Sequence, residues 1–436
     1  MFENIVAQAA AGRLREDIKA GILAPSMLFF GPSASGKGTT ALELGRVLSC
    51  EGRGDWNCPC PHCARHRPLL HPDMLLMGPR PFAAEIAASS AVLLREPRHG
   101  RILLLRAARK LLGRFSPALW EGDRELGRLN PLIQALEEDL EALDGMEVEE
   151  PERIKGAGEK LGASIVKNAL KLEAEGIAEH IPVAQIRKAS YWGRLAPTGR
   201  RKLLLIENAD RMKEEALNSL LKILEEPPER LSIVLCTTRR EAILPTLLSR
   251  LRPYRFLARD SKAAEELIRR VYREGEVRGG LEAYLDSFLP VSRDSLYPLA
   301  AFFVSSVALA ALDSFRRRGI TALPEELVAL GKHSAPIANS AGLGRPVGDN
   351  KTIIEKVLAG AGDFQVRSLF SNFLAAALDL VSRSLSAAGF RGIAYTGLWK
   401  NYAAEASAAV GTWNQNPSLA LDRMISGLKG DMADCY

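Results

Sequence analysis

The amino-acid sequence predicts an α/β fold in which a parallel sheet is flanked by helices and followed by a helical carboxyl-terminal region. Three apolar runs support this prediction: Leu203 to Ile206, Met27 to Phe30 and Ile233 to Cys236. Each run is short and uninterrupted, as expected for a parallel strand that is buried on both faces. Because helical stretches separate these runs, the strands belong to a sheet with helices on both sides.

Segment 202–250 reads as a strand, an amphipathic helix, a second strand and an arginine. The helix places Ala216, Leu220 and Leu224 on one face, and a double proline stops it. Ligands of doubly wound sheets bind at the carboxyl ends of the strands. The polar residues that follow these two strands, Glu207, Asn208 and Thr238, are therefore candidate site residues.

A glycine-rich loop, GPSASGKGTT at residues 31–40, follows the strand Met27 to Phe30 and predicts a phosphate-binding site. Glycines let backbone N–H groups surround phosphate oxygens, the next helix presents its positive end, and the lysine adds a charge. The alternative is a strand-to-helix turn that binds nothing. The predicted nucleotide-binding residues are Gly31, Ser35, Gly36, Lys37, Gly38, Thr39, Thr40, Glu207 and Thr238.

The loop departs from the usual pattern at Gly38, where a serine or threonine commonly holds Mg²⁺. Nucleoside monophosphate kinases carry a similar GKGT sequence, so a hydroxyl one residue later, on Thr39, is tolerable. A free-standing P-loop phosphotransferase is therefore one functional alternative.

Four of the six cysteines, Cys50, Cys58, Cys60 and Cys63, follow the helix of the phosphate loop. Thiols at this density in a chain of intracellular character predict a structural zinc site, because tetrahedral Zn²⁺ favours four soft ligands. The alternative is four unrelated thiols. The Cys-x-Cys spacing is tight, so His66 could replace Cys58 as a ligand.

Composition is consistent with two or three domains, since the chain has 436 residues of which 47% are hydrophobic. The net charge of +6 is compatible with a DNA partner but does not require one. The amino terminus lacks a basic, apolar leader, which predicts a cytoplasmic protein. The longest apolar run, Leu296 to Leu312, is shorter than a membrane span and contains Pro298, which predicts a buried bundle helix and no membrane.

Taken together, the motifs resemble the AAA+ clamp-loader family, specifically the delta-prime type of bacterial DNA polymerase III subunit, with gamma/tau as a close relative. The shared stretches are FENIVAQ, LFFGPSASGKGTTA, HPDMLLM, IPVAQIRK and NSLLKILEEPPE through ILPTLLSR, within about residues 1–80 and 180–258. The resemblance implies an AAA+ core over 1–258 with a zinc module at about 50–66, and a helical insertion at about 80–179 interrupts this core. It also implies a helical lid at 259–293 and a helical collar at 294–436.

The resemblance further implies a division of roles between subunits. ATP or ADP with Mg²⁺ is expected at the phosphate loop of the family. Active subunits carry Asp-Glu after the first of the two strands, whereas this chain has Glu207-Asn208, and an asparagine cannot accept a proton as a general base. We therefore expect weak or no ATPase activity from the chain itself. A gamma/tau-type ATPase that uses Glu207 as a metal ligand is the second alternative.

Arg250 is the predicted catalytic residue, since the family's Ser-Arg motif, here Ser249-Arg250, places an arginine finger against the ATP of a neighbouring subunit. The alternative is a surface arginine that caps a helix. The resemblance implies as partners the other clamp-loader subunits (gamma/tau and delta), the sliding clamp and primer-template DNA.

The insertion itself is outside the resemblance. A basic arm at 101–114 contains Ile102, Leu105, Leu111 and Leu112, and an acidic arm at 129–143 has a similar apolar face. We predict an antiparallel hairpin of these two arms, closed partly by complementary charge, which serves either as a partner surface or as a solvated structural element.

Overall fold

The structure of this chain is a computed structural model. It describes residues 1–146, 154–178, 180–275, 280–289, 293–320, 323–362, 367–386, 389–411 and 415–434. The chain forms two compact units, Met1–Leu285 and Asp286–Tyr436. The predicted lid thus falls in the first unit as far as Leu285, and the division into core, lid and collar stays a prediction.

The first unit is built around a sheet of five parallel strands in the order β2-β3-β4-β1-β5. The strands are β1 Ser26–Phe30, β2 Met74–Met77, β3 Lys202–Ile206, β4 Leu231–Thr237 and β5 Arg252–Arg255. The three apolar runs that the sequence predicts as strands lie within β1, β3 and β4, next to one another in the middle of the sheet. Every residue of β3 and β4 is buried, which is why these strands read as continuous apolar runs.

Helices cover both faces of the sheet. In this unit they are α1 Ala9–Lys19, α2 Lys37–Ser49, α3 Pro61–His66, α4 Ala83–Arg95, α5 Pro97–Leu112, α6 Pro117–Trp120, α7 Arg124–Asp144, α8 Glu159–Gly176, α9 Val183–Arg194, α10 Glu214–Glu225, α11 Pro245–Leu248, α12 Ser261–Tyr272 and α13 Leu281–Asp286. Met27 and Phe29 of β1 pack in one apolar core with α1 and α2. Leu28 lies in the opposite core with α9 and α10, because successive strand side chains point to opposite faces.

The insertion forms a helical module with an apolar core of its own. Helix α5 packs mainly on α4, and α7 packs mainly on α8. The predicted hairpin of a basic and an acidic arm is therefore wrong in its pairing, although α5 and α7 do make a minor contact. An amphipathic pattern shows that a helix has a buried face but does not say which helix covers it. Ile102, expected on the apolar face of the basic arm, is 54% exposed.

The charges of the insertion also pair differently from the prediction. In the acidic arm, Glu137, Glu138 and Glu141 are exposed, and Asp139 accepts hydrogen bonds from Ser164 and Asn168 of α8. In the basic arm, Arg109 pairs with Asp144, but Lys110 pairs with Glu85 of α4. Complementary charge thus links α5 to α4 and to the end of α7 rather than closing a seam between two arms.

The second unit is helical in all of its described secondary structure. Its helices are α14 Arg293–Arg317, α15 Glu325–Ser340, α16 Asn350–Gly360, α17 Arg367–Leu385, α18 Gly389–Gly411 and α19 Pro417–Asp434. In its core, the ring of Phe303 packs edge-on against Phe373 and Trp399. Among the described helices, only α14 is long and apolar enough to cross a membrane, and 78% of its apolar window is buried by the rest of the protein. This burial is typical of the central helix of a bundle.

The parallel sheet, the helices on both of its faces, the cysteine module and the helical second unit confirm the predicted AAA+ type of fold.

Candidate functional site

The phosphate loop lies between β1 and α2, at the carboxyl edge of the sheet where the sequence places it. Its first glycine, Gly31, has a φ of 146°, and a side chain there would collide with the carbonyl of Phe256 at the end of β5. Gly36 precedes α2 with a φ of 92°. Both positions require glycine because L-residues with side chains rarely adopt this backbone region.

The side chain of Lys37 is folded onto its own loop. Its Nζ donates to the carbonyl oxygens of Gly31 at 2.7 Å and Pro32 at 2.5 Å, and to the hydroxyl of Ser35 at 3.3 Å. Burial lowers the pKa of Lys37, against the raising influence of Cys236 and Glu207. The loop therefore holds one buried cation at the point where phosphate oxygens are expected.

The predicted hydroxyl groups of the site differ in their availability. Thr40 is buried, and its hydroxyl donates to the carbonyl of Gly36 at 2.9 Å, so it is bonded to the preceding turn of the backbone. Thr39 and Thr238 are exposed. Beside Thr238, the hydroxyl of Thr237 donates to Asp210 at 2.7 Å. The end of β4 thus carries the hydrogen-bonded hydroxyl of Thr237, and the exposed hydroxyl of Thr238 follows it.

Glu207 follows β3 and directs its carboxylate toward the phosphate loop. A Cβ atom added to Gly38 would collide with Oε1 of Glu207, so the glutamate side chain fills the space that a side chain at position 38 would need. The other oxygen, Oε2, accepts a hydrogen bond from the Arg114 guanidinium, and Arg80 lies 3.6 Å from Oε1. Burial alone would raise the pKa of Glu207, but Arg80 and Arg114 lower it below its ordinary value.

Arg114 comes from the insertion, in the short 3-10 turn Gly113–Phe115 after α5. Its side chain is only 4% exposed. Its Nη2 meets Glu207, whereas Nε and Nη1 are buried without a hydrogen-bond partner in the part of the chain that the structure describes. Burial lowers the pKa of Arg114 to about 10 although Glu207 raises it, so the guanidinium is charged at neutral pH.

A second carboxylate, Glu85 of α4, extends this cluster by pairing with both Arg80 and Lys110. The guanidinium groups of Arg80 and Arg114 also lie over the ring of Phe82, at 4.7 and 5.3 Å from its centroid. We call Arg80, Glu85, Lys110, Arg114 and Glu207 the insertion charge cluster. The sequence shows these basic residues but offers no local signal that they reach β3.

Asn208, which follows Glu207 at the end of β3, has a structural task. Its backbone is left-handed, with a φ of 47°, a conformation that asparagine tolerates better than most residues. Its side-chain Nδ2 donates to the carbonyl oxygen of Pro79 at 2.6 Å, which ties the end of β3 to the end of β2. The amide is therefore oriented toward the neighbouring chain segment by its own hydrogen bond.

Arg259 is a further cation that the sequence analysis missed. Its guanidinium donates to the carbonyl oxygen of Ala34 and lies against Gly36, on the outer side of the phosphate loop. It stands two residues before α12, in a run of charged residues that gives no motif.

Arg250 is exposed, and its hydrogen bonds are made to residues outside the phosphate loop. Its guanidinium donates to the carbonyl oxygen of Thr246 at 2.8 Å and to Glu225 at 2.9 Å. The Arg250 side chain is 35% exposed, and such exposed ion pairs contribute about 0–1 kcal/mol, so the pair with Glu225 is easily exchanged for another. The next residue, Leu251, is buried in the core and anchors this segment.

The structure brings the four predicted cysteines together. One sulfur from each of Cys50, Cys58, Cys60 and Cys63 lies within 4.8 Å of every other, and the sulfurs of Cys50 and Cys58 are 3.6 Å apart. Sulfurs around a tetrahedral Zn²⁺ ion are separated by about 3.8 Å, which follows from Zn–S bonds of about 2.3 Å. The group can therefore hold a metal ion with small adjustments.

Polar groups around the sulfurs support this assignment of a metal centre. The backbone N–H of Gly52 donates to Cys50, that of Cys63 donates to Cys60, and the buried Arg46 donates to Cys63 at 3.1 Å. Such donors stabilise thiolates. Burial would raise the pKa of Cys60, but backbone hydrogen bonds from Glu51 and Cys63 lower it to about 7, whereas burial raises the pKa of Cys63 against the lowering influence of Arg46.

His66 is not in the group of four sulfurs. It is buried and stacked on His71, with ring centroids 4.0 Å apart, and burial together with His71 lowers its pKa to about 2. The neighbouring Asp73 accepts hydrogen bonds from the backbone of Thr198 and Gly199. The His-Pro-Asp motif therefore fastens the start of β2 to the loop before β3.

Comparison with known proteins gives matches that each cover part of the chain. The family described as "DNA polymerase III, delta subunit" matches residues 148–260. Gamma/tau subunits of DNA polymerase III from Mycobacterium bovis and Mycobacterium tuberculosis are 31% identical over 100 residues, which is 23% of this chain and 15% of those proteins. A delta-prime subunit from Bacillus subtilis is 41% identical over 66 residues, which is 15% of this chain and 20% of that protein.

The matched segments thus span a fifth or less of these curated relatives. Among solved structures, a gamma subunit-related protein of DNA polymerase III from Thermotoga maritima aligns with a TM-score of 0.30 and 16% identity. That alignment covers 58% of this chain and 80% of the other.

Proposed function

We propose that this chain, which belongs to the clamp-loader family of DNA polymerase III subunits, is a delta-prime-like subunit that donates Arg250 to the ATP of a neighbouring subunit. It would be a subunit of a hetero-oligomer with gamma/tau and delta and would help to load the sliding clamp onto primer-template DNA in the cytoplasm. Its own phosphate loop would bind nucleotide and hydrolyse it weakly or not at all.

The observation that carries this proposal is the state of the pair Glu207-Asn208. Hydrolysis of ATP needs a group that orients or deprotonates the attacking water. Asn208 has no basic oxygen to offer, and its amide is bound to Pro79. Glu207 is the remaining carboxylate, and it is paired with Arg114 and Arg80. Loss of a general base costs about 10² to 10⁴ in rate, so this site is poorly equipped for turnover.

Arg250 has the properties that a finger acting on another subunit needs. It is exposed, it directly precedes the buried anchor Leu251, and its pair with Glu225 is weak because both partners face solvent. An arginine supplied in trans contributes about 10³ to 10⁵ to phosphoryl transfer in other enzymes. Because that gain exceeds what the home site could supply, Arg250 is the residue on which activity of the assembly should depend.

The metal centre is proposed to hold Zn²⁺ in a structural role. Four cysteine ligands close a tetrahedral site and leave no position for a substrate or water. The centre would brace segment 50–66 against α2, because Arg46 of that helix contacts both Cys63 and the backbone of Gly54 and Asp55.

The test reconstitutes the complete clamp-loader complex with this full-length chain carrying either Arg250→Ala or Lys37→Ala. On this proposal, the first variant lowers the DNA-stimulated ATPase rate of the assembly by about 10³ or more, and the second changes it far less. Arg230→Ala is the matched control, since Arg230 is an exposed arginine just before β4. It lies at the amino ends of the strands, whereas the phosphate loop lies at their carboxyl ends. An unchanged ATPase rate in the Arg250 variant would remove the trans-acting role.

A gamma/tau-type ATPase remains the second candidate because gamma/tau subunits are among the matched relatives. It predicts that the purified chain alone hydrolyses ATP and that Lys37→Ala abolishes this activity. A free-standing phosphotransferase would instead turn over a small acceptor as a monomer. Assay of the isolated chain with ATP, with and without small acceptors, separates these two alternatives from the delta-prime-like role.

A further inference from the structure

The nucleotide site of this fold family implies a Mg²⁺ ion, and the residues of this chain do not fit one. A P-loop metal site usually has a hydroxyl directly after the loop lysine, here displaced to the exposed Thr39, and needs a carboxylate with room for near-ideal octahedral geometry. Position 38 is a glycine, and the Glu207 side chain fills the space beside it. The carboxylate that should face a metal is instead bound by Arg114 and approached by Arg80.

The charges around Glu207 leave an excess of cations. The insertion charge cluster contains three cationic side chains and two carboxylates, and Lys37 on the adjacent loop adds a fourth cation that has only neutral hydrogen-bond partners in the structure described. Glu173 also faces Arg80, but burial raises its pKa to about 7, so it offsets only part of one charge near neutral pH. Buried cations without partners favour the binding of an anion.

Arg114 still has donors to offer. Two of its nitrogens, Nε and Nη1, are buried and lack hydrogen-bond partners among the described residues, and the guanidinium is joined through the Glu207 carboxylate to position 38 of the phosphate loop. A guanidinium stays charged when buried and can bind phosphate oxygens through more than one donor, without the octahedral shell that Mg²⁺ demands.

We propose that this site binds the phosphate chain of a nucleoside diphosphate or triphosphate without a divalent cation, and that the Arg114 guanidinium, held on Glu207, takes the place of the metal. The proposal rests on the nucleotide binding proposed above and specifies its ligand as the metal-free form. It also gives the insertion a role at the site, since Arg114 is the insertion residue that meets Glu207.

The first experiment measures the affinity of the full-length chain for ADP and ATP by isothermal titration calorimetry, once with excess Mg²⁺ and once with EDTA. We expect dissociation constants that agree within about threefold between the two conditions, or tighter binding in EDTA. Binding that requires Mg²⁺ would overturn this inference and leave the proposed function intact. If neither nucleotide binds in either condition, the inference fails together with nucleotide binding, while the Arg250 assay still tests the trans-acting role independently.

The second experiment changes the cluster without changing its net charge. Arg114→Met combined with Glu207→Gln removes one cation and one carboxylate, and should weaken binding in EDTA by about 10-fold to 100-fold, the usual value of a hydrogen bond to a charged group. Binding that equals that of the unmodified chain would contradict the role of Arg114. Circular dichroism of both proteins shows whether the variant keeps its fold.

A third experiment rebuilds the metal ligands in a chain that already carries Arg114→Met, so that the shorter carboxylate leaves no buried guanidinium without a partner. Gly38→Ser alone should impair the site, because the new side chain collides with Glu207, whereas Gly38→Ser with Glu207→Asp restores both a hydroxyl and the space for it. We expect the chain with all three substitutions to bind nucleotide at least about 10-fold more tightly with Mg²⁺ than with EDTA. If the unmodified chain shows this same preference, the metal has not been replaced.

Discussion

Removal of Arg114 should destabilise the first unit more than removal of an ordinary surface arginine. The side chains of Arg114 and Glu207 are 4% and 13% exposed, so Arg114→Met leaves a buried carboxylate with Arg80 as its closest remaining cation. Removal of one partner of a buried pair costs about 3–5 kcal/mol. Because Arg80 stays 3.6 Å from Glu207, we expect a cost near the lower end, about 3 kcal/mol.

The double variant Arg114→Met with Glu207→Gln provides the matched comparison. It removes the uncompensated charge and should recover more than half of the lost stability. Urea unfolding with hydrogen exchange of residues 97–120 is the suitable assay, since it reports this module separately from the second unit. A cost below about 1 kcal/mol for the single variant, or no recovery in the double variant, would show that the pair is not the buried contact described here.

The pH dependence of this loss has a defined sign. Arg80 and Arg114 lower the pKa of Glu207, so the pair stabilises the fold above the pKa of an unfolded glutamate, and this contribution disappears as pH falls through the lower folded value. The unmodified chain should therefore lose stability in acid. In Arg114→Met the destabilisation should be largest near neutral pH and shrink below about pH 4.5, where Glu207 can protonate.

Two other changes test separate parts of the structure. Burial raises the pKa of Glu173 from 4.5 to about 7. Protonated Glu173 therefore stabilises the fold at low pH, and this contribution of about 3 kcal/mol is lost as the pH rises from about 4.5 to about 7. Glu173→Gln should abolish this slope in urea unfolding between pH 5 and 8; a slope that persists would assign it to other groups. Cys63→Ser should lower bound zinc from about one equivalent to nearly none by mass spectrometry of the metal, whereas Cys236→Ala, outside the sulfur group, should retain it. Undiminished zinc in the Cys63 variant would exclude the four-cysteine ligand set.

The parts of this protein that local sequence encodes were predictable. The strands β1, β3 and β4 are apolar runs because both of their faces are buried. The phosphate loop was predictable because Gly31 and Gly36 occupy backbone conformations that need glycine. Cysteines that are close in sequence were also expected to be close in space, and the structure groups all four.

Contacts between distant segments were not predictable in the same way. Arg114 and Glu207 are 93 residues apart, and nothing in the periodicity of α5 indicates that its final turn reaches the end of β3. The partner of α5 was assigned wrongly for a related reason, since charge complementarity suggested α7 while apolar packing selected α4. Surface-like charge in a sequence does not distinguish solvated residues from those that pair in the interior.

Gly38, Glu207 and Asn208, the three departures from the expected P-loop ATPase pattern, depend on one another in the structure. A serine at position 38 would displace the Glu207 carboxylate from its place beside Arg114 and Arg80, so the longer carboxylate depends on the glycine. An aspartate at position 207 would draw its carboxylate away from Arg114, which would then be a buried cation without a partner. Asn208 holds the end of β3 against Pro79 and so fixes the position from which Glu207 extends. Restoration of any one active-site residue alone should therefore damage the site rather than revive it, which is why the substitutions at 38 and 207 have to be made together.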